Sequence, residues 1–349
     1  MIFKSKTLAI VSVFRNFCLK IPVIASALIL LSFSAYASDG AVKRETKGSK
    51  PDKQWPSRLI KVIVPFPAGG FADSMTRIVA PSLASLLDES VTIENRGGGS
   101  GMTGYAIAAD APADGYTWLS ITLTHAINQS LFPNIYPQLR SAFVPVAMLA
   151  TAPLVVVVNA NVGASTLAEL AALAKSTPMS AGSSGNGTPP HIGLALLEEA
   201  VATDILHIPY KGGAPSITDL LSHQIDMIVA NLPEALAHIR SGKLRALAVT
   251  SDKRSAFLPD VPTTAEAGYP DIRIENWMAL LMPAQTPAPI VARVLNEINV
   301  VMALPATKLK LDALGFTPYK LSGEPLATYL SQEVIRWGDV VRAKKIKPE

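Results

Sequence analysis

Cysteine is almost absent from this 349-residue chain: its single copy, Cys18, lies ahead of an apolar stretch rather than directly after one. That placement excludes a lipid-anchoring cysteine, and removal of the first 37 residues would leave a chain with no disulfide, no thiolate nucleophile and no thiolate metal ligand. Histidine is scarce too. His125, His191, His207, His223 and His238 include no i, i+4 pair, and no carboxylate sits beside them in a ligand pattern, so no metal is expected. His223 and His238 read as solvated. The chain also lacks an apolar run long enough to span a bilayer: residues 21–33 fall short of the ~20 that a membrane helix needs.

What residues 1–37 do contain is an export signal. Lys4, Lys6, Arg15 and Lys20 precede the apolar stretch, which ends in the small-x-small triplet Ala35-Tyr36-Ala37. The pattern predicts cleavage after Ala37 and delivery to the periplasm. This leader holds four basic residues and no acidic one, so its loss takes the net charge from +4 to zero. The basic pI therefore belongs to the leader, and nothing in the remainder argues for a nucleic-acid or membrane-surface partner. Without disulfides the mature chain must be stabilised by its core alone, for which roughly 300 residues is ample. Residues 38–54 are polar and aperiodic and read as a flexible lead-in.

From Trp55 onward, apolar strand patterns alternate with amphipathic helical ones. Leu59, Ile60, Val62, Ile63 and Val64 read as a strand buried on both faces, and a helix near 73–87 turns Met75, Ile78, Val79, Leu83 and Leu86 to one side. Strands follow at 91–94, 118–123, 144–149 and, as an uninterrupted apolar run, 154–158. Thr166 with Glu169, and Thr263 with Glu266, are capping-box pairs that predict helix starts. Alternation of this kind predicts parallel sheets with helices on both faces, and the length predicts two α/β lobes.

The strand at 59–64 empties into Pro65, Pro67, Gly69 and Gly70 immediately before a helix. Backbone N–H groups freed there coincide with a helix N-terminus, a natural anion site. Residues 180–191, SAGSSGNGTPPH, repeat the arrangement. Two amide-rich loops far apart in sequence predict a cleft that grips a small anion between two lobes. The first loop offers Pro67, Ala68, Gly69, Gly70 and Phe71, with Thr124 and His125 beside them. Ser183, Ser184, Gly185, Gly187 and His191 come from the second, with Tyr210 and Asn231 at the ends of the following strands. Lys211 is the cation expected near this cleft, with a solvated lysine as the alternative, and Trp277 is a candidate wall.

Two other motifs are weaker. Gly99 to Gly104 fits G-x-G-x-x-G, but the next strand ends in Thr124-His125 where a dinucleotide site needs an acid, so no nucleotide cofactor is expected. Ser183 and Ser184 with His191 suggest a hydrolase, yet GSSG is one residue short of a nucleophile elbow and no orienting acid stands out, so no enzymatic activity is expected.

The ordered blocks WPSRLIKVIVPFPAGG, VTIENRGGGSGMTG, ADGYTWL, HAINQSLF, SAGSSGNGTPPH, HIPYKGGAPSITDLL, SGKLRALAVTS and DVPTTAEAGYP, with the closing 337–347 segment, resemble the Bug or TctC family of periplasmic substrate-binding receptors for tripartite tricarboxylate transporters. The resemblance runs from Trp55 to the C-terminus. It implies a two-lobe, type II Venus-flytrap fold with crossing hinge strands, with residues 55–153 and 277–349 in one lobe and 154–276 in the other. It also implies that the loops at 67–71 and 183–188 approach a carboxylate from opposite sides, using amides, hydroxyls and water rather than an arginine. The chain departs from the family pattern at Ala230, Ala142-Phe143 and Met278-Ala279, so ligand identity does not carry over. The expectation is a monomeric receptor that delivers a small organic acid to a membrane permease. A sensor that docks onto a receptor kinase would have the same fold.

Overall fold

The computed structural model describes residues 55–133 and 138–347. The leader, its cleavage point and the lead-in lie outside them. The first sheet opens with strand β1 (Ile60–Val64), whose Pro/Gly exit leads into helix α1 (Phe71–Leu87), then β2 (Val91–Asn95), α2 (Met102–Ala109) and β3 (Thr117–Thr122). β1 pairs in parallel with both β2 and β3. Leu59 and Leu86, expected in the core, are exposed, because the strand begins one residue later and α1 turns Leu87 inward instead.

After β3 come α3 (Leu123–Leu131), the single turn α4 (Leu139–Ala142) and then one strand, β4 (Phe143–Asn159), where the sequence suggests two. At ~3.3 Å per residue, its 17 residues span about 55 Å. Register shifts near Pro145 and Met148 keep it continuous through its prolines by absorbing the mismatch as bulges. Five residues from Leu154 to Val158 are fully buried: Leu154, Val156 and Val158 enter one core, while Val155 and Val157 enter another on the opposite face. The side-chain alternation of a strand explains why this run is apolar without interruption.

The remaining strand–helix units follow: α5 (Leu167–Ser176), β5 (Ser180–Ser183), α6 (Pro189–Val201), β6 (Leu206–Pro209), α7 (Gly213–Leu221), β7 (Met227–Asn231), α8 (Leu232–Arg240) and β8 (Leu244–Val249). The chain then returns through β9 (Glu275–Pro283), α9 (Ala288–Ala303), α10 (Pro305–Leu314), β10 (Thr317–Ser322) and α11 (Gly323–Ala343). β5 is parallel to β6 and β7, but β4 pairs antiparallel with β7, β8, β9 and β10, and β3 with β9. The sheets are therefore mixed, not purely parallel. Residues 143–153 of β4 pair with β9, and residues 154–159 pair with β7 and β8, so this one strand belongs to both sheets.

Thr263 and Glu266 do form the reciprocal capping box, at 3.0 and 2.8 Å, but over turns and no helix, because Pro270 follows too soon for the turn to propagate. Residues 98–101 carry four successive positive φ values, at Gly98, Gly99, Ser100 and Gly101, which let the chain reverse between β2 and α2. Gly104 in α2 then packs against backbone. A Cβ there would lie 2.8 Å from the Pro65 Cα and 2.9 Å from the Arg96 carbonyl. Gly104→Ala is expected to destabilise by about 2–3 kcal/mol in urea titration, since backbone rather than a flexible side chain must move. A change below 0.5 kcal/mol would contradict that packing.

Candidate functional site

The sequence predicts free amides in two glycine loops, but the structure places most of those amides in internal bonds. Gly69 N–H donates to Asp73 Oδ2 (2.8 Å), Gly185 N–H to Ser183 Oγ (3.0 Å) and Gly187 N–H to His191 Nδ1 (3.1 Å). These bonds hold the loops in shape. The donors that face the cleft are one step further on, at the helix starts.

Five helices begin around a single cleft: α1 at Gly70 and Phe71, α3 at Thr122, α6 at Thr188, α7 at Gly212 and Gly213, and α8 at Asn231. Phe66, Pro67, Ala72, Thr124, Ser184, Ala214, Glu234 and Asn276 complete its wall. The amides of Ala72, Gly213 and Ala214 lie in first turns, where helix geometry supplies no intrahelical acceptor. Each helix start carries roughly half a positive charge, which favours an anion in the cleft; its described lining residues include one charged side chain, Glu234, and no cationic one. The two sides meet closely: a Cβ on Gly212 would lie 3.0 Å from the Pro67 side chain, and one on Gly69 3.7 Å from Ala214. The cavity is about 30 Å³, room for water and not for a multi-carbon acid.

A polar chain crosses the floor. Phe71 N–H donates to Glu234 Oε1 (3.0 Å), and Asn231 Nδ2 donates to Glu234 Oε2 (2.8 Å). Asn276 Nδ2 donates to Asn231 Oδ1 (2.8 Å), while its own Oδ1 accepts from the amides of Leu123 (3.3 Å) and Trp277 (2.9 Å). Five elements, α1, β7, α8, β9 and α3, are thus joined through the side chains of Glu234, Asn231 and Asn276. Burial pushes the Glu234 carboxyl above the usual carboxylate range, while the bonds from Asn231 and Phe71 pull the other way.

Beneath the first loop sits Asp73, fully buried in the first turn of α1. Besides the Gly69 amide, it accepts from Arg77 Nε (2.8 Å) and from Asn95 Nδ2 (2.9 Å), and Asn95 Nδ2 also reaches the Phe66 carbonyl (2.9 Å). Burial opposes its charge, yet the bonds from Arg77, Gly69 and Asn95 outweigh that and hold the carboxyl below its ordinary value.

Of the residues read from the sequence, Pro67, Gly70, Phe71, Thr124, Ser184 and Asn231 line this cleft. The Phe71 ring faces away, packed on Phe316 at 5.1 Å, leaving its backbone to the site. Ala68, Gly69, His125, Ser183, Gly185, Gly187, His191 and Tyr210 stand outside the lining. His125 is fully buried behind it, with Nδ1 3.2 Å from the Thr122 amide and 3.3 Å from the Thr122 carbonyl at the start of α3; burial, opposed by the contact with that carbonyl, lowers its pKa to about 4. Ser183 is buried, with Oγ 2.7 Å from His207 Nε2, and His191 stacks on His207 at 4.4 Å. Tyr210 donates its hydroxyl to Asp219 (2.7 Å), and burial with that neighbour raises its pKa to about 12. Lys211 is exposed, and Trp277 is core.

Phe66, Ala72, Thr122, Gly212, Gly213, Ala214, Glu234 and Asn276 in the lining, and Asp73 beneath it, were not among the candidates chosen from the sequence. Gly212-Gly213 carried a signal, a glycine pair between a strand and a helix like that at Gly69-Gly70. Glu234 matched only the Asn-x-x-Glu pattern of a helix start. Asn276 had no local signal.

The comparisons with known proteins agree with this architecture. The profile of the "Tripartite tricarboxylate transporter family receptor" family, TctC, matches residues 75–346. Protein BugT of Bordetella pertussis is 36% identical over 292 residues, covering 82% of this chain and 90% of that protein. The structure of the periplasmic binding protein BugD superimposes with a TM-score of 0.81 at 30% identity, covering 84% of this chain and all of BugD. MatC from Rhodopseudomonas palustris with bound malate gives a TM-score of 0.77 at 29% identity, covering 82% of this chain and all of MatC. The fold is the two-lobe α/β architecture of periplasmic binding proteins, and the chain belongs to the TctC family of tripartite tricarboxylate transporter receptors.

Proposed function

We propose that this protein is a periplasmic receptor that captures a small carboxylate between its lobes and delivers it to a tripartite tricarboxylate-type permease. The observation that carries this reading is the convergence of five helix N-termini on one cleft whose described lining holds amides, hydroxyls and the Glu234 carboxylate but no cation. Such a site holds an anion through fixed dipoles. The malate bound to MatC supports the ligand class. Residues 55–153 with 277–349 form one lobe in this reading, and 154–276 the other. Their opening and closing needs no second subunit, so the receptor acts as a monomer. The burial of Ser183, whose Oγ lies 2.7 Å from His207 Nε2, supports capture over hydrolysis.

The test is a thermal melt of protein purified from the periplasm, unfolded and refolded to strip carried ligand, against mono- and dicarboxylates, amino acids and sugars. Ligand at a hundred times its dissociation constant stabilises by about 2.7 kcal/mol, a shift of several degrees for a chain of this size. A shift confined to carboxylates is expected. A shift with sugars alone would overturn the reading.

A further inference from the structure

Glu234 is the only formally charged side chain among the described residues that line the cleft, and its carboxylate occupies a helix-start amide of that cleft. Its Oε1 accepts the Phe71 amide at the start of α1, across the cleft from its own helix, while Oε2 is held by Asn231. The carboxylate also closes over the start of α7: a Cβ on Gly213 would meet it at 2.2–2.3 Å, and one on Gly70 would lie 3.5 Å from Oε1. The donors a ligand carboxylate needs are thus partly taken, and a cavity of about 30 Å³ leaves no space for ligand and Glu234 together.

We propose that Glu234 is a tethered competitor: its carboxylate takes the ligand's place on the Phe71 amide, holds the unliganded lobes together, and must be displaced before an anion binds. The proposal rests on the carboxylate-receptor reading for its second half, and on geometry alone for its first. An intramolecular anion on the ligand's donor lowers apparent affinity by the weight of the interaction it occupies, because the ligand replaces a bond instead of adding one. It also discriminates. An acid with enough further contacts to displace Glu234 binds, whereas acetate and other minimal anions do not.

The experiment compares wild type with Glu234→Gln and Glu234→Ala in two measurements. Small-angle scattering of ligand-stripped protein reads closure; both variants are expected to show a larger radius of gyration than wild type. Titration calorimetry with acetate, succinate, malate and adipate reads competition; affinities are expected to rise about tenfold or more, the weight of one hydrogen bond to a charged group, with the largest gain for acetate. Unchanged scattering, or affinities that stay level or fall in both variants, would overturn the proposal. Absence of binding by any acid to any of the three proteins would sink the carboxylate-receptor reading, and the scattering result would still decide whether Glu234 holds the lobes together.

Discussion

Asp73→Ala is expected to cost about 3 kcal/mol of stability and to weaken ligand binding at least tenfold, although Asp73 lies beneath the cleft and not in its wall. The residue is fully buried, and its carboxylate gathers the Gly69 amide, Arg77 and Asn95 at 2.8–2.9 Å. Deleting it removes the shared acceptor of three donors, of which the Gly69 amide and Asn95 fix the course of the 66–70 loop. A buried charged group that loses its partner costs several kcal/mol, moderated here because Arg77 reaches solvent. Affinity falls with stability because Gly70, Phe71 and Ala72 are positioned by that loop. Urea titration and calorimetry on the same preparation test both parts; a destabilised variant with wild-type affinity would show that the loop keeps its course without Asp73.

The same residue predicts an acid sensitivity whose sign is fixed. Its folded pKa lies below the ordinary value of 3.8, so the unfolded chain takes up the proton first as pH falls. The stabilisation is complete well above 3.8 and is lost progressively as pH drops toward the folded pKa. Melting temperature in wild type should therefore fall more steeply below pH 4 than in Asp73→Asn. Parallel curves would contradict the assignment.

Trp277→Ala is expected to cost about 3–5 kcal/mol, a large fraction of a typical domain's total stability. Trp277 is fully buried in the core that spans both sheets, and its Nε1–H donates to Glu333 Oε2 (2.9 Å), which also accepts from Trp337 Nε1 (3.1 Å). The substitution removes an aromatic side chain and leaves a buried carboxylate short of one donor. Trp277→Phe separates the two effects: it preserves most of the volume, loses the N–H, and should cost about 1–3 kcal/mol. If Phe and Ala prove equally damaging in urea titration, the hydrogen bond to Glu333 outweighs the packing. Strand alternation gives this residue a second consequence, since neighbouring Asn276 points from the other face of β9 into the cleft, and its Oδ1 accepts the Trp277 amide.

Much of the architecture is legible in the residues because it rests on short-range physics. The 154–158 run is apolar at every position because both faces of β4 are buried, and the reader needs only the period of a strand to see it. Gly69-Gly70 after β1 mark a helix start because proline and glycine end a strand locally. Local signals misled in three places. Thr263 and Glu266 close their capping box and no helix follows. The strands expected at 144–149 and 154–158 are one, because pairing with β9 up to Pro153 and with β7 and β8 beyond it keeps the chain extended throughout. Gly69, Gly185 and Gly187 looked like open donors until the fold supplied Asp73, Ser183 and His191 as acceptors.

The sequence by itself determined the export signal pattern, the strand–helix alternation, the two lobes and the family, because each is written in spacing or in ordered blocks of residues. Only the tertiary structure decided the site. Five helix starts meet there from segments spread between Gly70 and Asn231, and Phe71 is bonded to a glutamate 163 residues away. No window of sequence contains such a contact: which amides stay open, and which carboxylate fills them, depends on how the sheets bring distant helix ends to one point.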